Sequence, residues 1–195
     1  METDIIMRMA TKEDAEEILE VYAPYVTDTA ISFEYNLPSV QEFAERINCI
    51  VKKYPYIVAI ENNCIIGYAY ASAFKERAAY HWAVETTVYL RQDCRGKGVG
   101  KKLYLALEGI LRKQNILNLN ACIAYTPTDD VYLTNSSAHF HNQLGYKKVG
   151  HFTKCGYKFE TWYDMIWMEK MIGEHSFNPK PVIPITDLHG LLNGV

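Results

Sequence analysis

Val84 to Leu111 reads V-E-T-T-V-Y-L, then R-Q-D-C-R-G-K-G-V-G, then K-K-L-Y-L-A-L-E-G-I-L, and the fold turns on how these three pieces differ. In the first, Val84, Thr86, Val88 and Leu90 alternate with Glu85, Thr87 and Tyr89, the period of a β-strand. In the third, Leu103, Ala106, Leu107, Ile110 and Leu111 recur on one helical stripe. Between them Gly96, Gly98 and Gly100 stand at every second position among Arg95, Lys97, Lys101 and Lys102. Glycine accepts φ/ψ values closed to other residues and lets a ligand approach the main chain, so such a loop can turn its N–H groups toward an anion. The N-terminus of the helix that follows adds its partial positive charge. The spacing therefore predicts a strand, an anion-binding loop and a helix, in that order.

Two familiar phosphate loops are excluded. A Walker A loop needs G-x-x-x-x-G-K-[ST]; counted back from Gly100-Lys101, the required first glycine is Arg95, and Lys102 replaces the hydroxyl. A dinucleotide fingerprint needs G-x-G-x-x-G directly after a strand, whereas these glycines are spaced G-x-G-x-G behind several polar residues. The remaining pattern, Arg95-x-x-Gly98-x-Gly100, resembles the [QR]-x-x-G-x-[GA] pyrophosphate loop of the GNAT superfamily of N-acetyltransferases, which hold acetyl-CoA. Read without that resemblance, a basic turn that merely caps a helix stays open.

With 195 residues, 49% of them apolar, the chain can build one full core and not two, so one domain over 1–172 and an extended, proline-containing tail over 173–195 are expected. A net charge of −3 and a pI near 6.1 give no general basic footprint, which argues against a nucleic-acid partner. No apolar run approaches the roughly 18 residues of a membrane span, and Met1 to Arg8 lacks a signal-peptide core, so a soluble cytoplasmic protein is expected. The five cysteines, Cys49, Cys64, Cys94, Cys122 and Cys155, are scattered without a C-x-x-C pair and read as reduced thiols rather than a metal site.

In chain order, Ile5 to Met9 reads as a strand, and Thr11 with Asp14 as a capping box for a helix that Pro24 ends. Tyr25 to Pro38 is irregular and carries Ser32-Phe33-Glu34. Ser39 and Glu42 cap a second helix, which Tyr54-Pro55 stops. Tyr56–Glu61 and Cys64–Ala73 are strands joined by Asn62-Asn63, a hairpin signal. Phe74 to Trp82, polar and aromatic, suits a binding rim. Leu117 to Tyr125 is a strand parallel to Val84–Leu90, because a whole helix separates them. Thr134 or Asn135 caps a helix that stops at Gly145, and two strands, 146–154 and 158–168, turn at Gly156.

This order resembles the acyltransferase fold of the GNAT superfamily, an α/β (α+β) fold with a mixed, mostly antiparallel central sheet flanked by helices. Within it the chain is similar to phosphinothricin and methionine sulfoximine acetyltransferases in several motifs. These are Y-P-x-x-V-A at Tyr54–Ala59, G-x-A-Y-A at Gly67–Ala71, K-x-R-x-A-Y-x-W-x-V-E-x-T-V-Y at Lys75–Tyr89, F-H-N-Q-L-G-Y at Phe140–Tyr146 and G-Y-K…W-x-D at Gly156–Asp164, with the tail P-K-P-V-I-P-I-T. The resemblance implies acetyl-CoA as donor. Arg95, Gly96, Lys97, Gly98, Val99, Gly100 and Lys101 would take its pyrophosphate, Val88, Tyr89 and Leu90 its pantetheine arm, and Asn135 and Ser137 would also touch it. Family members commonly have Asn where Thr134 stands, with Asn135 one residue along. A homodimer is implied because such relatives pair.

N-acetylation needs a base, since an ammonium has no lone pair for attack. By resemblance Glu85 is that base, and the strand alternation sets it on the face opposite Val84 and Val88; the residues alone also allow a solvated strand glutamate. His141, four residues before Gly145, is the second catalytic expectation, protonating the leaving thiolate or ordering water, with a packing role as its alternative. His139 and His141 do not make a metal pair, since i, i+2 puts them on different helix faces, and no metal is expected. Arg77 could clamp a carboxylate or phosphinate, and Tyr80 and Phe33 could wall the substrate pocket, against the alternative of a surface arginine with core aromatics. The acceptor these residues imply is a small amino acid with a second anionic or sulfoximine-like group. An aminoglycoside or polyamine acceptor, or a non-catalytic acyl-CoA sensor, are the other readings.

Overall fold

Asn62 and Asn63 take left-handed φ values of 51° and 62° and close a tight hairpin, as their sequence signals. In the computed structural model, which describes residues 4–188, that hairpin is the centre of one half of a seven-stranded sheet. The strands are β1 (Ile6–Met9), β2 (Tyr56–Glu61), β3 (Cys64–Ala73), β4 (Ala83–Leu90), β5 (Asn118–Tyr125), β6 (Lys147–Lys158) and β7 (Thr161–Met171), in the spatial order β1-β2-β3-β4-β5-β7-β6. Every neighbouring pair is antiparallel except β4 with β5. The helix α3 (Val99–Lys113) makes the crossover between these two. Leu103, Leu107, Ile110 and Leu111 of α3 pack with Ile57, Ala69, Val84, Leu119 and Ile123 of the sheet. On the opposite face α1 (Ala15–Thr27) and α2 (Val40–Ile50) bury Ile18, Tyr22, Phe43 and Ile47 with Tyr56, Val58 and Tyr68. The short α4 (Ser136–Gln143) lies beyond β5.

The feature that creates a site is a failure of pairing. β4 and β5 are in register at Ala83↔Asn118, Val84↔Leu119 and Glu85↔Asn120 and then part, while β5 stays with β7 as far as Tyr125↔Asp164. The second half of β4 thus presents an open edge.

Two local expectations are corrected, and the tail gains contacts. Pro24 does not end α1; the helix runs through it to Thr27. A proline inside a helix costs ~3 kcal/mol, but Tyr25 and Val26, which follow it, are only 5% and 1% exposed, and burying two such side chains returns about 1.5–3 kcal/mol each. The last β-turn lies at Phe159-Glu160, whose φ values are 48° and 58°, not at Gly156, which sits inside β6. The tail is extended but not free. Gln114, fully buried, donates from Nε2 to the carbonyls of Lys53 and Ile183, the Trp82 indole donates to Lys180 O, and Ile185 is buried against the main core. Residues 189–195 of the expected tail lie outside the described residues.

Candidate active site

Where β4 and β5 part, two hollows of about 450 and 310 Å³ meet along a border formed by Ile31, Val88, Tyr89 and Ser137. The larger is framed by Val88–Leu90, the loop residues Arg95, Gly96, Gly98, Gly100 and Lys101, and Ser136, Ser137 and Phe140 of α4. Gly96 and Gly98 take φ of 76° and 80°, with open space where a Cβ would stand. This left-handed path starts α3 with its N–H groups facing the groove and leaves room for an anion to approach them. Arg95 lies across the opening, donating to Gln92 Oε1 and Ser136 Oγ. Diphosphate chemistry fits this donor set.

At the end of β4 the open edge is covered by a side chain. The Tyr25 hydroxyl donates to Leu90 O at 2.6 Å and takes Leu90 N–H at 3.4 Å. Backbone groups two residues apart on a strand point the same way, so Val88 N–H is also directed at the gap, beside the border of the two hollows.

The smaller hollow holds Glu85, with Phe33, Tyr70, Tyr104, Cys122 and His141 among its walls. Burial pushes the Glu85 carboxyl above its ordinary value, opposed by the charge of Lys75. Lys75 itself stands over the rings of Phe74 and Trp167. Burial also pushes the neighbouring Cys122 thiol up to about 12, with the Glu85 charge adding to it. His141 is 3% exposed. Its Nδ1–H donates to Ser137 O at 2.7 Å, so Nε2 is the acceptor for the Tyr104 hydroxyl at 2.8 Å. Burial lowers its pKa to about 4, which keeps the ring neutral at pH 7. Beside this pair Thr86 donates to Asn120 O and accepts from the Tyr146 hydroxyl at 3.0 Å.

A family model described as the acetyltransferase (GNAT) domain matches residues 7–167. The chain belongs to the GNAT acetyltransferases. A phosphinothricin N-acetyltransferase of Streptomyces viridochromogenes is 29% identical over 93% of this chain and 95% of its own length. An L-methionine sulfoximine/L-methionine sulfone acetyltransferase of Salmonella typhimurium is 26% identical over 87% and 96%. Among solved structures, a GNAT phosphinothricin acetyltransferase of Sinorhizobium meliloti in complex with acetyl-CoA superposes with a TM-score of 0.83 at 34% identity, covering 93% of this chain and 97% of that one.

Within this GNAT acetyltransferase, the structure gathers Glu85, His141 and Phe33 at one hollow and Val88, Tyr89, Leu90, Arg95, Gly96, Gly98, Gly100, Lys101 and Ser137 at the other. Five expected residues are elsewhere. Val99 turns into the core, and Lys97 is an exposed loop residue outside the groove lining. The Asn135 amide is used by β5, donating to Thr126 O and accepting from Thr126 N, and Ser136 takes the place at the groove. Tyr80 lines a separate aromatic hollow with Phe74, Trp82, Phe152 and Trp167, and Arg77 precedes it as an exposed residue at the start of a single helical turn. Sequence reading missed Tyr25, Tyr104 and Ser136. Tyr104 falls on the apolar stripe of α3 between Gly100 and Leu107, where only its hydroxyl, a polar group needing a buried partner, was a signal.

Proposed function

We propose that the chain is an acetyl-CoA-dependent N-acetyltransferase that acts on the amino group of a small amino-acid-like acceptor, of the phosphinothricin or methionine sulfoximine type. The observation that carries this is the placement of Glu85 in a hollow that borders the glycine-loop groove along Val88 and Tyr89. Glu85 takes the proton from the acceptor's ammonium, directly or through one water, and the freed lone pair attacks the thioester carbon. The Val88 N–H, on the open edge of β4, meets the oxygen that becomes negative. The thiolate leaves readily, its thiol having a pKa around 8.5. His141 enters this proposal as a neutral ring that orients the Tyr104 hydroxyl, because both its nitrogens are engaged and its low pKa denies it a proton to give at rest.

Lys75, whose charge reaches Glu85, attracts the acceptor's acidic group. In this reading two copies pair over the aromatic hollow, where Tyr80, Val149 and Phe152 are exposed, and sedimentation at the mass of two chains checks that. The five free thiols accord with a cytoplasmic setting. Among the described residues no helix is long and apolar enough to cross a membrane.

A thiol-release assay over a panel of amino-acid analogues, aminoglycosides and polyamines tests the reading. Turnover is expected with the amino-acid analogues, and Glu85→Gln is expected to lower kcat/KM by ~10²–10⁴-fold. Coenzyme A binding without turnover on any amine would leave the acyl-CoA sensor as the surviving reading.

A further inference from the structure

The acceptor hollow has one wall that belongs to neither β4 nor β5. Ile31, Ser32 and Phe33 come from the segment between α1 and α2, which has no strand or helix of its own to hold it. Besides the Tyr22–Ser32 hydroxyl pair, the Ala30 N–H bond to Tyr132 O and the Arg46–Glu34 ion pair, three consecutive residues at the end of β6 hold it. The Phe33 ring fills the space above Gly156, where an added Cβ would stand 2.3 Å from Phe33 Cε2. The Tyr35 hydroxyl donates to Tyr157 O. Lys158, 4% exposed, donates from Nζ to Val26 O and to Ser32 O, each at 2.7 Å.

A buried ammonium held by neutral carbonyls is costly, the charge of Glu34 offsetting the burial only in part, and an apolar side chain of similar length would fill the same volume without that cost. What the charge supplies is convergence. Val26 lies in the last turn of α1, where carbonyls lack helical partners and carry partial negative charge; Ser32 lies in the pocket wall. One cation draws both to a single point and so fixes the path of the chain between them.

We propose that Lys158 is a positioning residue for the acceptor, holding Ile31, Ser32 and Phe33 as the wall against which the acceptor is aligned to Glu85. The inference rests on the Glu85 hollow being the acceptor site. Lys158 lines neither hollow, so its effect reaches the site through this segment.

Steady-state kinetics on Lys158→Met, with acceptor and acetyl-CoA varied separately, test it. The acceptor KM is expected to rise about 10- to 100-fold, since small misplacements of positioning groups have effects of that order, with acetyl-CoA KM and kcat at saturating acceptor within about 3-fold. Amide exchange is expected to quicken in residues 28–35 and stay slow in Val84–Leu90. Equal rises in both KM values, a loss confined to kcat, or an unchanged acceptor KM would overturn the proposal. If Lys158→Met does not fold, Lys158→Gln carries the same test, because its shorter, neutral amide cannot reach the Val26 and Ser32 carbonyls together. Wild-type protein that turns over no amine refutes the proposed function itself, a result distinct from wild-type turnover without the KM split.

Discussion

Glu85 is a carboxylate in a setting that resists its ionisation, and a raised pKa is what its proposed role as base requires. The sign for stability follows from linkage. With its folded pKa raised, the folded state holds the proton more tightly than the unfolded chain, so the ionised side chain costs stability above the folded pKa. That cost fades as pH falls through the folded pKa toward the ordinary value of 4.5. Glu85→Gln is therefore expected to melt at a higher temperature than wild type at neutral pH and to converge with it in acid, while losing activity; a lower melting temperature at neutral pH would contradict the burial argument. His141 has the opposite history. The unfolded ring takes a proton near 6.5 and the folded one only near about 4. Stability is complete above the first value and is lost as pH falls between the two, by about 3 kcal/mol in all. His141→Gln should flatten that part of the curve, as read by urea unfolding across the interval.

At the scale of elements, the proposed reading makes the loop and α3 one device for gripping an anion, and the two glycines that shape it can be tested against a third that does not. Gly98→Ala has room for its methyl group but must hold φ near 80°. The left-handed penalty is ~1–2 kcal/mol, so relaxation that turns its N–H from the groove should raise acetyl-CoA KM by about 10-fold. Gly109→Ala, within α3 and with nothing near its Cβ, should leave both KM values alone and stabilise the fold by ~0.5–1 kcal/mol. The local character of these features explains their legibility. Strand alternation at Val84–Leu90, the α3 stripe and the Ser39–Glu42 capping box each sit within a few residues, and the box forms with both of its hydrogen bonds. What sequence could not reveal is non-local. The Tyr104–His141 bond spans 37 residues and the Lys158–Val26 bond 132. Gly156 drew the turn to itself because its need for space comes from Phe33, far away in the chain.

For the whole molecule, the tail changes what the domain is. It looked separable because its prolines and polar residues carry no helical or strand period, yet its backbone completes the surface where α2, β2 and α3 meet. Ile183 N–H donates to Gln114 O, Ile185 N–H to Lys53 O, and the Asn115 amide to Pro181 O. Gln114 Oε1 is buried without a hydrogen-bond partner among the described residues, so the Gln114 side chain depends on the two bonds that Nε2 makes to Lys53 and Ile183. Removing the tail would strip Nε2 of one acceptor and expose the apolar floor beneath Ile185, which is 6% exposed. Ile185→Ala isolates the packing part. Truncating a buried isoleucine costs ~2–5 kcal/mol, and a site at the edge of the core that can partly collapse belongs at the low end. At ~2–4 °C per kcal/mol for a domain of this size, the melting temperature should fall by about 4–8 °C. The proposed catalytic hollows lie where β4 parts from β5, away from this seam, so kcat and both KM values should hold at temperatures where the variant remains folded. A melting temperature unchanged by Ile185→Ala would mean that the tail contributes nothing to stability, and activity lost in parallel with an intact fold would mean that the seam and the site are coupled.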